Sequence, residues 1–371
     1  MTYLFFVQGE GRGHLTQALT LYARLKERGH KILAVIAGPD PDFRLPAFFE
    51  EQFKDKLIRI SSPKFVVDKN GQGINMPVSV IQALSRLRRY RQSLKRIKKV
   101  ISETNPDILI NFYEPLAGFY SRRYHDKRPL FCISHQYFVE HPTFRFPASR
   151  LSERLGLKFY NWITAPRPSL KIALSFTAAD DLNDRRLIVC PPLIRQNLKQ
   201  QKPTNGDFIL AYLLNAGYSR EIINWSKNNP AVKIEAFWNK PDSEITCLSP
   251  NLIFYNLHGE KFINRLAHCA AYVSTAGFDS IAEAAYLQKD ILMVPTKNHF
   301  EQRCNAEDAR RAGIALTSKN FDLSLIKRKE KTHSDAALRA FKEWVDKYDD
   351  KIIRILEGQG RINQGQRSEK D

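Results

Sequence analysis

Cysteine is scarce in this 371-residue chain: there are five, an odd number, with no Cys-x-x-Cys pair. That excludes a disulfide framework and a cysteine-based structural zinc site, and it fits reduced thiols in a cytoplasmic setting. No run of about 18 apolar residues occurs, so no membrane-spanning helix is expected. The apolar start Tyr3–Val7 is short and runs into a glycine-rich turn, so no secretory signal is expected. No internal repeat recurs. Acid is missing over one long stretch, with no Asp or Glu between Lys69 and Ile101.

What is present points to a globular protein of more than one domain. Hydrophobic residues make up 43% and charged residues 26%. At about 100–200 residues per domain the length calls for two or three domains. The net charge of +19 is unevenly placed. Residues 1–200 hold 33 Lys or Arg against 17 acids, and residues 201–371 hold 25 against 22. The basic half suits nucleic acid, an anionic membrane or a phosphorylated substrate.

Thr2–Gln8 reads as a buried strand, Gly9–His14 as a turn, and Leu15–Arg28 as a helix with Leu15, Ala18, Leu19, Tyr22 and Leu25 on one face. Gly29 stops that helix and Lys31–Ala37 is the next strand, a βαβ opening that calls for a parallel sheet. Strand-like runs recur at Leu57–Ser61, Ile108–Phe112, Leu130–Ser134 and Ile172–Ser175, and again at Phe208–Leu213, Lys233–Phe237, Leu252–Tyr255, Ala271–Ser274 and Ile291–Pro295. The proline-bearing Val189–Leu193 separates the two series. The expected plan is an N-terminal α/β domain over 1–190, a linker over 191–206, a C-terminal α/β domain over 207–332, a helix over 333–357 that packs back on the first domain, and a tail over 358–371.

Two loops carry the chemistry. In Gly9-Glu10-Gly11-Arg12-Gly13-His14 the glycines, Gly11 and Gly13 among them, let a ligand approach backbone at a helix N-terminus. His14 stands at the helix mouth, where an imidazole can accept a proton at neutral pH. The dinucleotide fingerprint fails, because His14 takes the place of its third glycine. Ser274-Thr275-Ala276-Gly277-Phe278-Asp279-Ser280 is a second strand-to-helix turn suited to a diphosphate. Local pattern alone favours a capping box for Ser280-x-x-Glu283. Glu301-Gln302 follows a later strand, at the sheet edge where ligands bind in such folds.

As a set, these motifs resemble the GT-B glycosyltransferases, both the UDP-glycosyltransferase family and the MurG-like family 28. The resemblance rests on Thr275–Ser280 with Glu283, then Pro295, Glu301-Gln302 and Asn305, and on the Gly9–His14 loop with Gly29-His30 after it. It implies two facing Rossmann-like domains with a nucleotide-sugar, expected to be UDP-linked, in the cleft. Gly11, Gly13, Thr275, Gly277, Asp279 and Ser280 would bind the donor, with Thr275 and the amides near Gly277 at its diphosphate, Glu283 at the ribose, and Glu301 and Gln302 at the sugar. His14 would deprotonate the acceptor hydroxyl or support the leaving diphosphate. The implied reaction inverts the anomeric centre and needs neither metal nor cofactor.

The chain departs from these patterns at Thr275, where the UDP-glycosyltransferase box has His, at Asp279, where it has Asn, and at Arg12, where MurG-like loops have Gly. Arg12 and His135 are expected on the acceptor side, and Glu114 is expected to orient His14. Asp40-Pro41-Asp42 spells a metal–diphosphate motif of another fold, but acids beside proline read as a turn. Val80, Leu84, Leu87, Tyr90, Leu94, Ile97 and Ile101 space out one long amphipathic helix, whose other faces carry Arg86, Arg88, Arg89, Arg91, Lys95, Arg96, Lys98 and Lys99. This basic face suits an anionic membrane surface, and MurG-like enzymes act on a lipid-diphosphate acceptor at such a surface. The expected setting is cytoplasmic, peripheral on the inner face of the membrane, in cell-envelope glycan synthesis. Two alternatives stay open: a non-hydrolysing UDP-sugar 2-epimerase of the same fold, and a nucleic-acid-binding protein using the basic half.

Overall fold

The computed structural model describes residues 1–40, 42–64, 66, 76–166, 169–213, 216–238, 245–327 and 335–358. Pro41, residues 333–334 of the expected last helix, and all of the expected tail except Gly358 lie outside them.

The first half is a parallel seven-stranded sheet. Its elements run β1 (Thr2–Val7), α1 (Gly13–Glu27), β2 (Lys31–Ala37), α2 (Ala47–Phe53), β3 (Leu57–Arg59), α3 (Met76–Ser85), α4 (Leu87–Thr104), β4 (Ile108–Phe112), α5 (Pro115–Tyr124), β5 (Leu130–Ser134), α6 (Leu151–Thr164), β6 (Leu170–Leu174) and β7 (Leu187–Cys190). The strand order is β3-β2-β1-β4-β5-β6-β7. β4 and β5 are buried along their whole length because helices cover both faces, which is why they read as unbroken apolar runs.

The second half continues with α7 (Gln196–Lys199), β8 (Phe208–Leu213), α8 (Ser219–Asn228), β9 (Lys233–Trp238), β10 (Ile245–Ser249), β11 (Leu252–Asn256), α9 (Gly259–His268), β12 (Ala271–Ser274), α10 (Phe278–Tyr286), β13 (Asp290–Met293), α11 (Phe300–Arg311), β14 (Leu316–Thr317), α12 (Ser324–Lys327) and α13 (Asp335–Lys347). Its sheet order is β10-β11-β9-β8-β12-β13-β14, with β10 alone antiparallel to its neighbour. The carboxyl ends of β1 and β12 both open into the space between the two sheets, and each feeds a helix there. This is the pair of facing Rossmann-like α/β domains that the motifs imply.

Three expectations change. Val189 and Cys190 belong to β7, because the apolar Leu187–Cys190 pairs with β6 before Pro191 ends the strand. The single basic helix is two, broken at Arg86, whose guanidinium is held by Asp40 at 2.9 Å. Leu84 and Leu87 are consequently exposed, while Tyr90, Ile97 and Ile101 pack inward. The C-terminal helix stops at Lys347 and resumes over 351–358. In the break, the Asp349 carbonyl accepts from Arg24 Nη1 at 2.9 Å instead of serving the helix. Arg24 also pairs with the Asp349 carboxylate at 2.7 Å, and Trp344 Nε1 donates to the Ser175 carbonyl at 3.3 Å. The chain end thus crosses from the second domain, where α13 packs on α10, to the first.

Candidate active site in the interdomain cleft

A cavity of about 840 Å³ lies between the domains. The first domain supplies Arg12, Gly13 and the outer face of α1, and the second supplies Tyr212, Thr275, Asp279, Glu283 and Gln302. Leu19 and Tyr22, expected in the core stripe of α1, line this cavity, while Leu21 takes the core position.

The turn after β1 is shaped by close approach. A side chain at Gly9 would meet the Gly38 carbonyl oxygen at 1.8 Å. One at Gly13 would meet Asp279 Oδ2 at 2.5 Å, so the absence of a side chain there leaves the Asp279 carboxyl its place between the N-termini of α1 and α10. Gly11, at φ +76°, makes the turn and is exposed. Arg12 sits beside Tyr212 of the opposite domain with its guanidinium 5.6 Å from the Phe48 ring, inside the same cavity as Thr275.

His14 packs on Tyr113, ring centroids 5.4 Å apart, with Nδ1 3.4 Å from Gln17 Oε1. Burial lowers its pKa, opposed by the negative charge of Glu301 and by Gln17. It therefore stays neutral at neutral pH, as a base must. The other end of Gln17 crosses the cleft: Nε2 donates to Asp279 Oδ1 at 2.9 Å and Oδ2 at 3.2 Å. Burial pushes the Asp279 carboxyl up to about 7, against the pull of Gln17. His14, Gln17 and Asp279 form one polar chain between the domains.

Glu114 does not orient His14. Its Oε1 accepts from the Ser62 hydroxyl and from the Leu116 amide at 3.0 Å, so it caps α5. Burial raises this carboxyl to about 7. His135 is also placed differently from expectation. It is walled in at the domain junction, stacked 4.0 Å from Phe278, with Nδ1 donating to the Leu174 carbonyl at 2.7 Å and Nε2 3.8 Å from Asp308. Burial pushes His135 down to about 4 and Asp308 up to about 7, so this pair is neutral over much of the range between.

On the donor side, Thr275 is buried and Asn305 Nδ2 holds the turn through the Ala276 carbonyl at 2.9 Å. Gly277 is the cap of α10, so Ser280 lies inside the helix and the capping box does not form. Glu283 instead grips Arg195 with both oxygens, at 2.5 and 2.6 Å. Gln302 Oε1 accepts from the Thr296 amide at 2.8 Å, which fixes the side chain at the cavity wall. Glu301, in the first turn of α11, acts on His14 and Tyr113 through its charge.

The N-termini of α1 and α10 thus face one cavity, an arrangement that suits an anion, and His14 follows the lining residue Gly13 in the chain without lining the cavity itself. A family model for glycosyl transferase family 1 matches residues 1–330. The chain belongs to this family. This glycosyltransferase is 21% identical over 336 residues to an uncharacterized glycosyltransferase of Methanosarcina mazei, covering 84% of this chain and 85% of that one. A second uncharacterized glycosyltransferase, from Methanosarcina acetivorans, is 22% identical over 343 residues, covering 84% and 82%. Among solved structures, the spinosyn rhamnosyltransferase SpnG complexed with thymidine diphosphate superposes at a TM-score of 0.64, with 13% identity, 96% of this chain and 100% of that one. The calicheamicin glycosyltransferase CalG4 superposes at 0.59, with 15% identity, 93% and 94%. The fold is GT-B.

Asp40 of the acidic pair is taken by Arg86, and among the described residues no three His, Cys, Asp or Glu converge on a possible metal position. The basic residues of α4 divide: Arg89 approaches Asp40 at 3.9 Å, Arg96 donates to the Arg59 carbonyl at 3.0 Å, Lys98 covers Tyr124 at 5.0 Å and Lys99 pairs with Glu103 at 3.7 Å, while Arg88, Arg91 and Lys95 are exposed. Sequence reasoning missed Gln17, Tyr113, Arg195 and Tyr212. Tyr113 holds φ +63°, a backbone state that no residue pattern announces for a tyrosine.

Proposed function

We propose that this glycosyltransferase moves a sugar from a UDP-linked donor to a hydroxyl acceptor with inversion and without a metal. The observation that carries the reading is the convergence of the α1 and α10 N-termini on one cavity, with Gly13 and Thr275 on facing sides and His14 next to Gly13 in the chain. The diphosphate would lie at the α10 N-terminus beside Thr275, Gly277 and Ser280, with Arg195 and Arg12 close enough to offset its charge. Asp279, held protonated to about pH 7, would not repel it. Glu283 has its oxygens on Arg195, yet each carboxylate oxygen can accept a second bond, so a ribose hydroxyl can still be held.

With Nδ1–H directed at Gln17, the Nε2 lone pair of His14 is the one available to the acceptor. As the hydroxyl oxygen bonds to the anomeric carbon, its proton passes to Nε2 and the bond from that carbon to the diphosphate oxygen breaks on the opposite face. The electron pair leaves with the nucleoside diphosphate. We place the acceptor on a lipid at the cytoplasmic membrane face, supported by the basic first domain and by exposed Arg88, Arg91 and Lys95.

A thermal-shift screen with UDP, GDP, TDP and CDP tests the donor reading. A ligand at a hundred times its dissociation constant stabilises by about 2.7 kcal/mol. UDP should give the largest shift. No shift with any nucleoside diphosphate would end the reading, and a larger one with TDP would replace the base.

A further inference from the structure

Right-handed crossovers put α4, α5 and α6 in one layer on the same side of the first sheet, and α5 packs against both of the others. On α6 the exposed face of that layer is apolar where a solvated face is expected. Leu151, Leu155, Phe159 and Trp162 recur at helical spacing along α6 and are 70, 57, 60 and 57% exposed. Phe159 and Trp162 stack at 5.7 Å, and the Arg122 guanidinium of α5 covers the Trp162 ring at 4.1 Å. Single exposed apolar residues are ordinary on a soluble surface, but a stripe of four large ones is not. Ile81, Leu84 and Leu87, at the α3–α4 break, add a second exposed apolar cluster.

Charge decides what could cover the stripe. The three helices carry eleven Lys or Arg against two acids, Glu103 and Glu153, and both acids are paired, with Lys99 and Arg303. A partner must therefore be apolar within and anionic at its surface. We infer that α6 docks on an anionic lipid bilayer, its stripe entering the acyl boundary while the cations of α4 and α5 stay among the headgroups. Nucleic acid would satisfy the cations and leave four large apolar side chains in water.

The opposite face of α6 reaches the site. Tyr160 lies 5.2 Å from Tyr113, whose ring stands on His14. A docked α6 is thus also a wall beside the candidate base, which suits an acceptor hydroxyl carried by a lipid. The inference rests on the membrane acceptor proposed above and moves the main contact from the basic helix to α6.

The full chain is sedimented with vesicles of phosphatidylcholine alone and of phosphatidylcholine with phosphatidylglycerol. Binding should require the anionic lipid, and Phe159→Ser with Trp162→Ser should weaken it on the order of tenfold or more for each side chain withdrawn from lipid. In the unaltered chain, bromine on the acyl chains should quench a part of the tryptophan emission that Trp162→Phe removes; this readout does not depend on how the double variant folds. Equal binding by the double variant, no acyl-chain quenching of Trp162, a dimer that the double substitution dissociates, or loss of vesicle binding to an oligonucleotide competitor would each overturn the inference. The UDP thermal shift is read on the same preparation: docking without a shift would sink the donor reading and leave the surface standing.

Discussion

Glu114→Gln separates a structural carboxyl from a catalytic one. In the folded chain burial lifts the Glu114 carboxyl from the ordinary 4.5 to about 7, against the pull of Ser62 and the Leu116 amide. One pKa difference is about 1.4 kcal/mol, so carrying this charge at pH 8 costs the folded state about 3 kcal/mol. Below about pH 4.5 the group is protonated whether folded or not, and no penalty exists. Between there and about 7 the unfolded chain ionises while the folded one keeps its proton, so stability falls as pH rises. Glutamine keeps a carbonyl oxygen for Ser62 and Leu116 but has no charge to bury. The stability difference, variant minus unaltered chain, should therefore grow by about 2.5 kcal/mol from pH 5 to pH 8 in urea denaturation. Asp279 and Asp308 are raised in the same direction and leave a residual slope in both proteins, which the difference removes. A difference independent of pH would refute the buried-charge reasoning. Turnover should survive the substitution, and a loss by orders of magnitude would return Glu114 to the role of orienting His14.

His14→Ala should lower turnover by roughly 10²–10⁴ with donor affinity largely kept, as for a lost base, and steady-state kinetics beside a UDP titration check it. Because burial lowers the His14 pKa, the acid limb of kcat/KM should fall below the ordinary 6.5; a limb above that value would assign it to another group. Arg195→Met should destabilise by about 3 kcal/mol, since it strands the buried Glu283 carboxylate, and adding Glu283→Met should restore most of the loss in a denaturation cycle. Gly118→Ala puts a Cβ 1.8 Å from the Ile163 carbonyl, between α5 and α6, and should cost at least about 1–3 kcal/mol in the same assay.

The parallel strands were legible because burial on both faces leaves an uninterrupted apolar run, as in Leu130–Ser134. β10 was not, because it is an antiparallel edge whose Ile245 and Leu248 face solvent, and β14 is only two residues long. The two glycine turns were legible for a local reason: glycines and hydroxyls sit at helix starts, within a few residues of each other. What joins them was not. Gln17 meets Asp279 across 262 positions and Arg195 meets Glu283 across 88, and no periodicity in either segment encodes those pairings. The Ser280-x-x-Glu283 spacing fits a capping box equally well on paper, and only the start of α10 at Phe278 shows that the cap falls three residues earlier. The basic helix was legible as amphipathic, yet nothing local announces its break at Arg86, where the guanidinium pairs with Asp40, distant in the chain.

The central claim is that the interdomain cavity holds a nucleoside diphosphate against the N-terminus of α10. Calorimetric titration of UDP into the full chain and into Glu283→Ala tests it most directly. The account predicts one UDP per chain, with weaker binding by the folded variant. No binding to the unaltered chain, or equal affinity in both, would contradict it.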